Sequence, residues 1–72
     1  METLELRVGD KVRLYYGEGN PNNRLYHVRA IVDGMYVLRH WGYRKRQWIY
    51  TVESPLYFQV EPQRFSVERA RP

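Results

Sequence analysis

The chain has 72 residues, no cysteine and a formal net charge of +4. A chain of this length supports a single domain, and the lack of cysteine excludes a disulfide framework, a thiolate metal site and a cysteine nucleophile. No apolar run is long enough to span a bilayer, and the acidic N-terminus differs from the cationic start of a signal peptide. We therefore expect a soluble, cytoplasmic protein with no membrane partner.

The positive charge is concentrated in the middle of the chain. Residues 11–50 carry eight cations against two carboxylates, which gives this segment a local charge of +6. Such a concentration is typical of a surface that meets a polyanion. Arginine and lysine also serve simply to solubilise an aromatic surface, so charge alone leaves both interpretations open.

The apolar residues recur mainly with a period of two, which predicts β-strands and almost no helix. Alternation at residues 4–8 leads into a turn at Gly9-Asp10, and the first full strand is predicted at residues 11–16. Residues 17–23 combine glycine, proline and asparagine, which predicts a long and mobile loop.

A central hairpin is predicted around Asp33-Gly34, between strands at residues 24–33 and 35–41. This dipeptide tolerates the positive φ angles of a type I′ turn, which then determines the register. The core face is predicted to carry the pairs Val32 with Met35, Ala30 with Val37, Val28 with Arg39 and Tyr26 with Trp41. The opposite face carries the pairs Ile31 with Tyr36, Arg29 with Leu38 and His27 with His40. Strong curvature or a β-bulge is the alternative that would bury some of this second set.

A second turn at residues 43–46 leads into a fourth strand, which is predicted at residues 47–53. Trp48 shares one face of this strand with Tyr50 and Val52. Because a tryptophan beside apolar neighbours is usually a core ring, we expect Trp48 to be packed inside.

Pro55 interrupts strand pairing after the fourth strand. Residues 56–60 then predict either a short final strand or a 3₁₀ turn followed by a strand. The domain is accordingly predicted to cover residues 1–62. Residues 63–72 hold few apolar side chains, so this C-terminal tail is expected to be partly disordered.

Five short strands in so short a chain close most economically as a small antiparallel barrel, which leaves few exposed strand edges. The segment VGDKVRL at residues 8–14, the long first loop and the hairpin sequence IVDG at residues 31–34 resemble SH3-like small barrels of the KOW and Tudor type. The resemblance covers about residues 6–60 and implies an all-β fold, a small antiparallel SH3-like barrel of about five strands. The chain also resembles short bacterial proteins of the prophage and mobile-element type, which implies no activity.

Cations and aromatic rings are interleaved within residues 39–50. Cations attract phosphates whatever the base sequence, and flat rings accept stacked bases. We therefore expect binding of nucleic acid with low sequence specificity through a basic and aromatic hairpin. The predicted nucleic-acid-binding residues are Arg39, Trp41, Tyr43, Arg44, Lys45 and Arg46. Trp48 is the alternative stacking ring to Trp41, and Arg13, Arg24 or Arg29 would assist.

No constellation of residues predicts a reaction, so we expect a protein that is not an enzyme, with no catalytic residues and no cofactor. His27 and His40 are predicted to face each other, but a metal site needs three or four ligands and the carboxylates lie several residues away. No metal site is therefore expected. Two other functions stay open: a protein-interaction module with an aromatic cleft, and a structural or oligomer-forming protein of the phage type whose dimer face consists of Leu25, Ile31 and Leu38.

Overall fold

The computed structural model describes residues 5–69. This part of the chain is all-β, as predicted, and five antiparallel strands form one sheet in the order β4-β3-β2-β1-β5. The strands are β1 (Lys11–Leu14), β2 (Arg24–Val32), β3 (Met35–Gly42), β4 (Gln47–Glu53) and β5 (Phe65–Glu68). Two short 3₁₀ helices, Pro55–Gln59 and Pro62–Arg64, connect β4 to β5. This order of elements is compatible with a small SH3-like barrel.

Strand β1 shows how the alternating sequence divides the sheet into two faces. Val12 and Leu14 are buried, whereas Lys11 and Arg13 are exposed. Because successive side chains of a strand point to opposite faces, Val12 and Leu14 define a core face, and Lys11 and Arg13 define an outer face. Every later strand contributes side chains to both.

The turn between β2 and β3 has the predicted conformation. Asp33 has a φ angle of 51° and Gly34 one of 76°, so both central residues are in the left-handed region. A two-residue type I′ turn requires this combination, and its twist matches that of the flanking strands. The hairpin predicted from the Asp33-Gly34 dipeptide is confirmed.

A β-bulge at Arg29 changes the register of β2 against β3. On the turn side of the bulge the pairs are those predicted, but Val28 pairs with Leu38 rather than with Arg39. The extra residue shifts β2 by one position and reverses the faces of β3 relative to the prediction. Leu38 therefore lies fully buried on the core face, while Arg39 and Trp41 lie on the outer face.

The core lies between the core face of the sheet and the first 3₁₀ helix. Phe58 of this helix is fully buried, and its ring centroid lies 5.8 Å from that of Tyr36, 5.2 Å from that of Tyr57 and 5.0 Å from that of Phe65. The other buried residues of the core are Leu6, Val12, Leu14, Tyr26, Val28, Tyr36 and Leu38. Phe58 is thus the central aromatic residue. The prediction of a buried Trp48 is wrong, since this side chain is 37% exposed on the outer face.

The C-terminal segment continues the sheet past the predicted boundary at residue 62. Residues 65–68 form β5, which pairs with β1, and Phe65 and Val67 pack against the core. Arg69 then donates hydrogen bonds to the carboxylate of Asp10 at 3.3 Å and to the backbone oxygen of Glu5 at 2.8 Å. Residues 63–69 are therefore part of the fold rather than a tail. The rest of the predicted tail, residues 70–72, lies outside the described residues.

Candidate nucleic-acid interface

The outer face carries aromatic and cationic side chains on neighbouring strands. Trp41 of β3 pairs with Trp48 of β4, and Arg39 pairs with Tyr50 of β4 on one side and His27 of β2 on the other. Directly opposed residues on one face of a sheet have their side chains in contact range. The bulge at Arg29 is what brings these groups together, since without it β3 would present its other face here.

Trp48 is the centre of this cluster. The Arg39 guanidinium lies over its ring, 4.0 Å from the centroid. The rings of Trp41 and His27 meet it edge to face, at centroid distances of 5.3 and 5.4 Å. Arg39 also lies 3.4 Å from the hydroxyl of Tyr50 and donates to it from Nη1. Arg39 therefore contacts the rings of Trp48 and Tyr50, and its role as a phosphate contact stays a prediction.

The turn between β3 and β4, residues 43–46, is called the tip here. Tyr43 is 84% exposed, and all three cations of the tip are exposed as well. No carboxylate within residues 5–69 forms an ion pair with Arg44, Lys45 or Arg46. Arg46 has a φ angle of 52°, a left-handed conformation that normally favours glycine. The tip thus presents free positive charge beside the rings of the outer face.

The β1–β2 loop, residues 15–23, lies at the same end of the sheet as the tip. Its Asn23 side chain accepts a hydrogen bond from the backbone of Tyr16 and donates one to the carbonyl of Gly17, both at 2.6 Å. Asn20 accepts another from the backbone of Asn22 at 2.9 Å. The loop that the sequence predicts as mobile is therefore held by its own asparagine side chains, which is the usual local role of asparagine in turns.

An open groove of about 1020 Å³ separates the β1–β2 loop from the tip. The cations Arg13, Arg24, Arg44 and Lys45 line it, together with the rings of Trp41, Tyr43 and Trp48. No carboxylate occurs among the described residues that line the groove. Since like charges repel unless a counterion intervenes, this surface favours an anion.

Arg24 is held in a defined position within the groove. Its Nη1 donates to the backbone oxygen of Asn22 at 3.0 Å, and its Nε donates to Nε2 of His40 at 3.4 Å. Arg13, by contrast, forms an exposed ion pair with Glu68 at 3.6 Å. Of the two, Arg24 therefore keeps its charge available to a ligand.

The two histidines do not face each other as predicted. Because of the bulge, His27 pairs with Arg39 on the outer face, while His40 pairs with Ile49 and contacts the ring of Tyr26 edge to face. Burial, followed by nearby cations, lowers the pKa of His27 below its ordinary value. Burial and then the charge of Arg24 lower the pKa of His40 likewise. Within residues 5–69 no cluster of three metal-ligating side chains occurs.

Most of the predicted binding residues meet at one end of the sheet. Trp41, Tyr43, Arg44 and Lys45 line the groove, whereas the predicted residues Arg39 and Arg46 do not. The sequence predicts Arg24 only as one of several assisting cations, and nothing in its local pattern predicts the contacts with Asn22 and His40. The place of Arg24 in the sequence is the signal that could have indicated it. Arg24 is the first residue after the long loop and begins the strand that pairs with β3.

The described part of the chain contains no helix long and apolar enough to cross a membrane. Comparison of the whole chain with protein-family models, with curated proteins and with solved structures gave no match.

Proposed function

We propose that this chain is a non-enzymatic β domain that binds nucleic acid with low sequence specificity. The observation that carries the proposal is the groove between the β1–β2 loop and the tip. It combines four cations with exposed rings, and its lining within residues 5–69 has no carboxylate. Phosphates supply the anion that such a surface favours, and bases supply flat faces for the rings.

Low sequence specificity follows from the type of contact. Arg24, Arg44 and Lys45 would neutralise phosphates, which look the same beside every base. Stacking on Trp41 or Tyr43 is similarly tolerant, because every base has a π face. Most of the binding free energy would come from counterion release, so affinity should fall steeply with salt concentration.

We also propose a more specific fold type, a cellular location and an origin for this chain. The strand order β4-β3-β2-β1-β5, with a 3₁₀ helix before the last strand, supports an SH3-like barrel of the KOW and Tudor type. A cytoplasmic location and a prophage or mobile-element origin would fit a small basic binding domain.

A protein-interaction role is the second candidate, favoured by exposed aliphatic side chains at the Asp33-Gly34 end of the sheet. Val32 and Val52 are both more than half exposed there. The homodimer face expected from the sequence loses Leu38, which is fully buried, although Ile31 remains exposed. Light scattering at high protein concentration tests for the homodimer, because a dimer has a mass of twice 8.8 kDa.

Titration with labelled oligonucleotides at several salt concentrations tests the proposed function. The test variant is R44A/K45A, which removes two cations of the groove. The control is R7A/R29A, which removes two exposed cations that do not line the groove and changes the net charge equally. We expect the test variant to lower the slope of log K against log salt by about 1.4 to 1.8, from about 0.7 to 0.9 per phosphate contact, and the control to keep most of it.

Two results would contradict the proposal. One is undetectable binding of every oligonucleotide at low salt by the folded protein. The other is an equal loss of affinity in R44A/K45A and R7A/R29A, which would mean that net charge, and no particular surface, attracts the nucleic acid.

A further inference from the structure

The two tryptophans of the outer face are almost equally exposed, 39% for Trp41 and 37% for Trp48, but they differ in what lies over their rings. Trp48 carries the Arg39 guanidinium on its face and contacts His27 and Trp41 edge to face. Trp41 is 39% exposed and lines the groove, and within residues 5–69 no guanidinium lies over it. Trp48 and Arg39 therefore support each other, and of the two tryptophans Trp41 is the one whose face carries no guanidinium.

Arg24 supplies an anchored positive charge on the loop side of the same groove. A guanidinium has five N–H donors in a fixed plane. Two of them are directed to Asn22 and His40, so the group is oriented while three donors remain for an anion. Because these hydrogen bonds already order the side chain of Arg24, less of its conformational entropy is lost when a ligand binds.

A double-stranded ligand does not suit this arrangement. In a duplex the phosphates lie outermost and each base is covered on both faces by its neighbours, so a duplex would reach the tip cations but leave the ring of Trp41 without a partner. Unpaired bases can be splayed out and stacked on protein rings. A groove that combines an exposed ring with cations on both walls therefore matches a single strand.

We infer that the ligand of this groove is single-stranded nucleic acid, with a base stacked on Trp41 and a backbone phosphate bound by Arg24. The inference rests on the proposed function and specifies its ligand. The strand passes between the β1–β2 loop and the tip, where Arg44 and Lys45 meet further phosphates. Single-stranded DNA and single-stranded RNA share this chemistry.

The experiment compares four labelled ligands of equal length at one salt concentration: oligodeoxythymidylate, oligouridylate, a DNA duplex and an abasic oligonucleotide. Fluorescence anisotropy gives the affinities. We expect the affinity of both single strands to be at least about ten times that of the duplex and of the abasic chain, since stacking of one base on an aromatic ring raises affinity by about this factor. Comparison of the first two ligands shows whether the sugar matters.

Variants of the stacking ring test where the base lies. W41A should lose about tenfold in affinity for oligodeoxythymidylate and nothing for the abasic chain, while W41F should lose less. The matched control is Y50A, because Tyr50 is an exposed ring of the same face that does not line the groove. R24Q should lower the salt slope by about 0.7 on single strands. Thermal melting monitored by circular dichroism confirms that each variant is folded.

The outcomes separate this inference from the function on which it rests. A duplex or abasic chain that binds as tightly as the single strands would overturn the inference and leave nucleic-acid binding intact. An equal loss in Y50A and W41A would overturn the assignment of Trp41. Failure of all four ligands to bind the folded wild-type protein would instead remove the proposed function. Should W41A not fold, W41F and the abasic ligand still decide the question.

Discussion

The guanidinium of Arg39 lies 4.0 Å from the ring centroid of Trp48, on the neighbouring strand. The two residues are diagonal neighbours, since Arg39 pairs with Tyr50 and Trp48 pairs with Trp41. Such a contact joins a fixed charge to the negative face of an indole ring. Its effect is to hold Arg39 and Trp48 together across the strand pair that carries Trp41, the ring that we propose stacks on a base.

The contact between Arg39 and Trp48 should be measurable as a coupling free energy. A double-mutant cycle with R39A and W48A is expected to give about 0.5–1 kcal/mol, the usual range for a partly exposed cation–π pair. Urea denaturation of the four proteins supplies the values. A cycle of R7A with W48A is the control and should give a coupling near zero. Equal couplings in the two cycles would show that Arg39 acts only through the overall charge.

Phe58 should contribute more to stability than Trp48. Removing the fully buried ring in F58A should cost about 3–5 kcal/mol, most of what a domain of this size has available. W48A removes a ring that is partly exposed, so its cost should be about half as large. Chemical denaturation gives both values, with F58L as a variant that keeps much of the buried volume. If W48A proved as costly as F58A, the outer face would have to be buried in solution.

Replacing Arg46 by glycine should raise stability and weaken binding at the same time. A left-handed conformation costs a residue with a Cβ about 1–2 kcal/mol, and glycine loses about 0.5–1 kcal/mol more chain entropy on folding. The net gain for R46G is therefore about 0.5–1 kcal/mol. The removed charge should reduce affinity for oligonucleotides.

D33G is the matched control for R46G, because Asp33 has nearly the same φ angle, 51° against 52°, at the other turn. It should leave the salt slope of binding unchanged. Its gain in stability should be smaller, since aspartate tolerates the left-handed region better than arginine does. A loss of stability in R46G would mean that the arginine side chain makes contacts that outweigh the backbone strain.

Stability should fall as the pH drops below about 6.5, the ordinary pKa of histidine. The pKa values of His27 and His40 are lowered in the folded state, mainly by burial, so below this pH the unfolded chain binds more protons than the folded protein. The stability gained by keeping both histidines neutral in the folded protein is fully present above pH 6.5. It is lost as the pH falls toward their lower pKa values in the folded state. Urea denaturation between pH 7.5 and 5 measures it, and in H27Q/H40Q this dependence should largely disappear. Stability that stays level in the wild type over this interval would contradict the shifts.

Local sequence patterns were sufficient for the turn and for the strands near it. Asp33-Gly34 determines a type I′ turn because few other dipeptides accept two positive φ angles. The bulge at Arg29 has no such signal in the sequence. The alternation of apolar and polar residues at 26–32 fits a strand with one unpaired residue as well as it fits a regular strand. The position of the bulge depends on which residues of β3 are buried in the core. This choice depends on contacts between residues that are distant in the sequence.

The same limit explains the partial prediction of the candidate site. The tip follows from contiguous sequence, so the position of Tyr43, Arg44 and Lys45 in a turn between two strands could be predicted, while their role in binding stays a prediction. The role of Trp48 was misjudged, because an indole beside apolar neighbours looks the same on either face of a strand. Arg24 acquires its position only when the β1–β2 loop returns to the end of the sheet, which involves contacts distant in the chain.

The hydrogen bonds from Arg69 to Asp10 and Glu5 bring the two ends of the described chain together. They meet beside the beginning of β1, whereas the groove lies at the end of that strand. A domain whose entry and exit adjoin one another can be placed inside a longer polypeptide, or repeated in tandem, without obstructing the opposite end. If the groove binds a single strand as proposed, joined copies would each keep an open groove, and one long strand would engage several of them with far greater avidity than one copy provides.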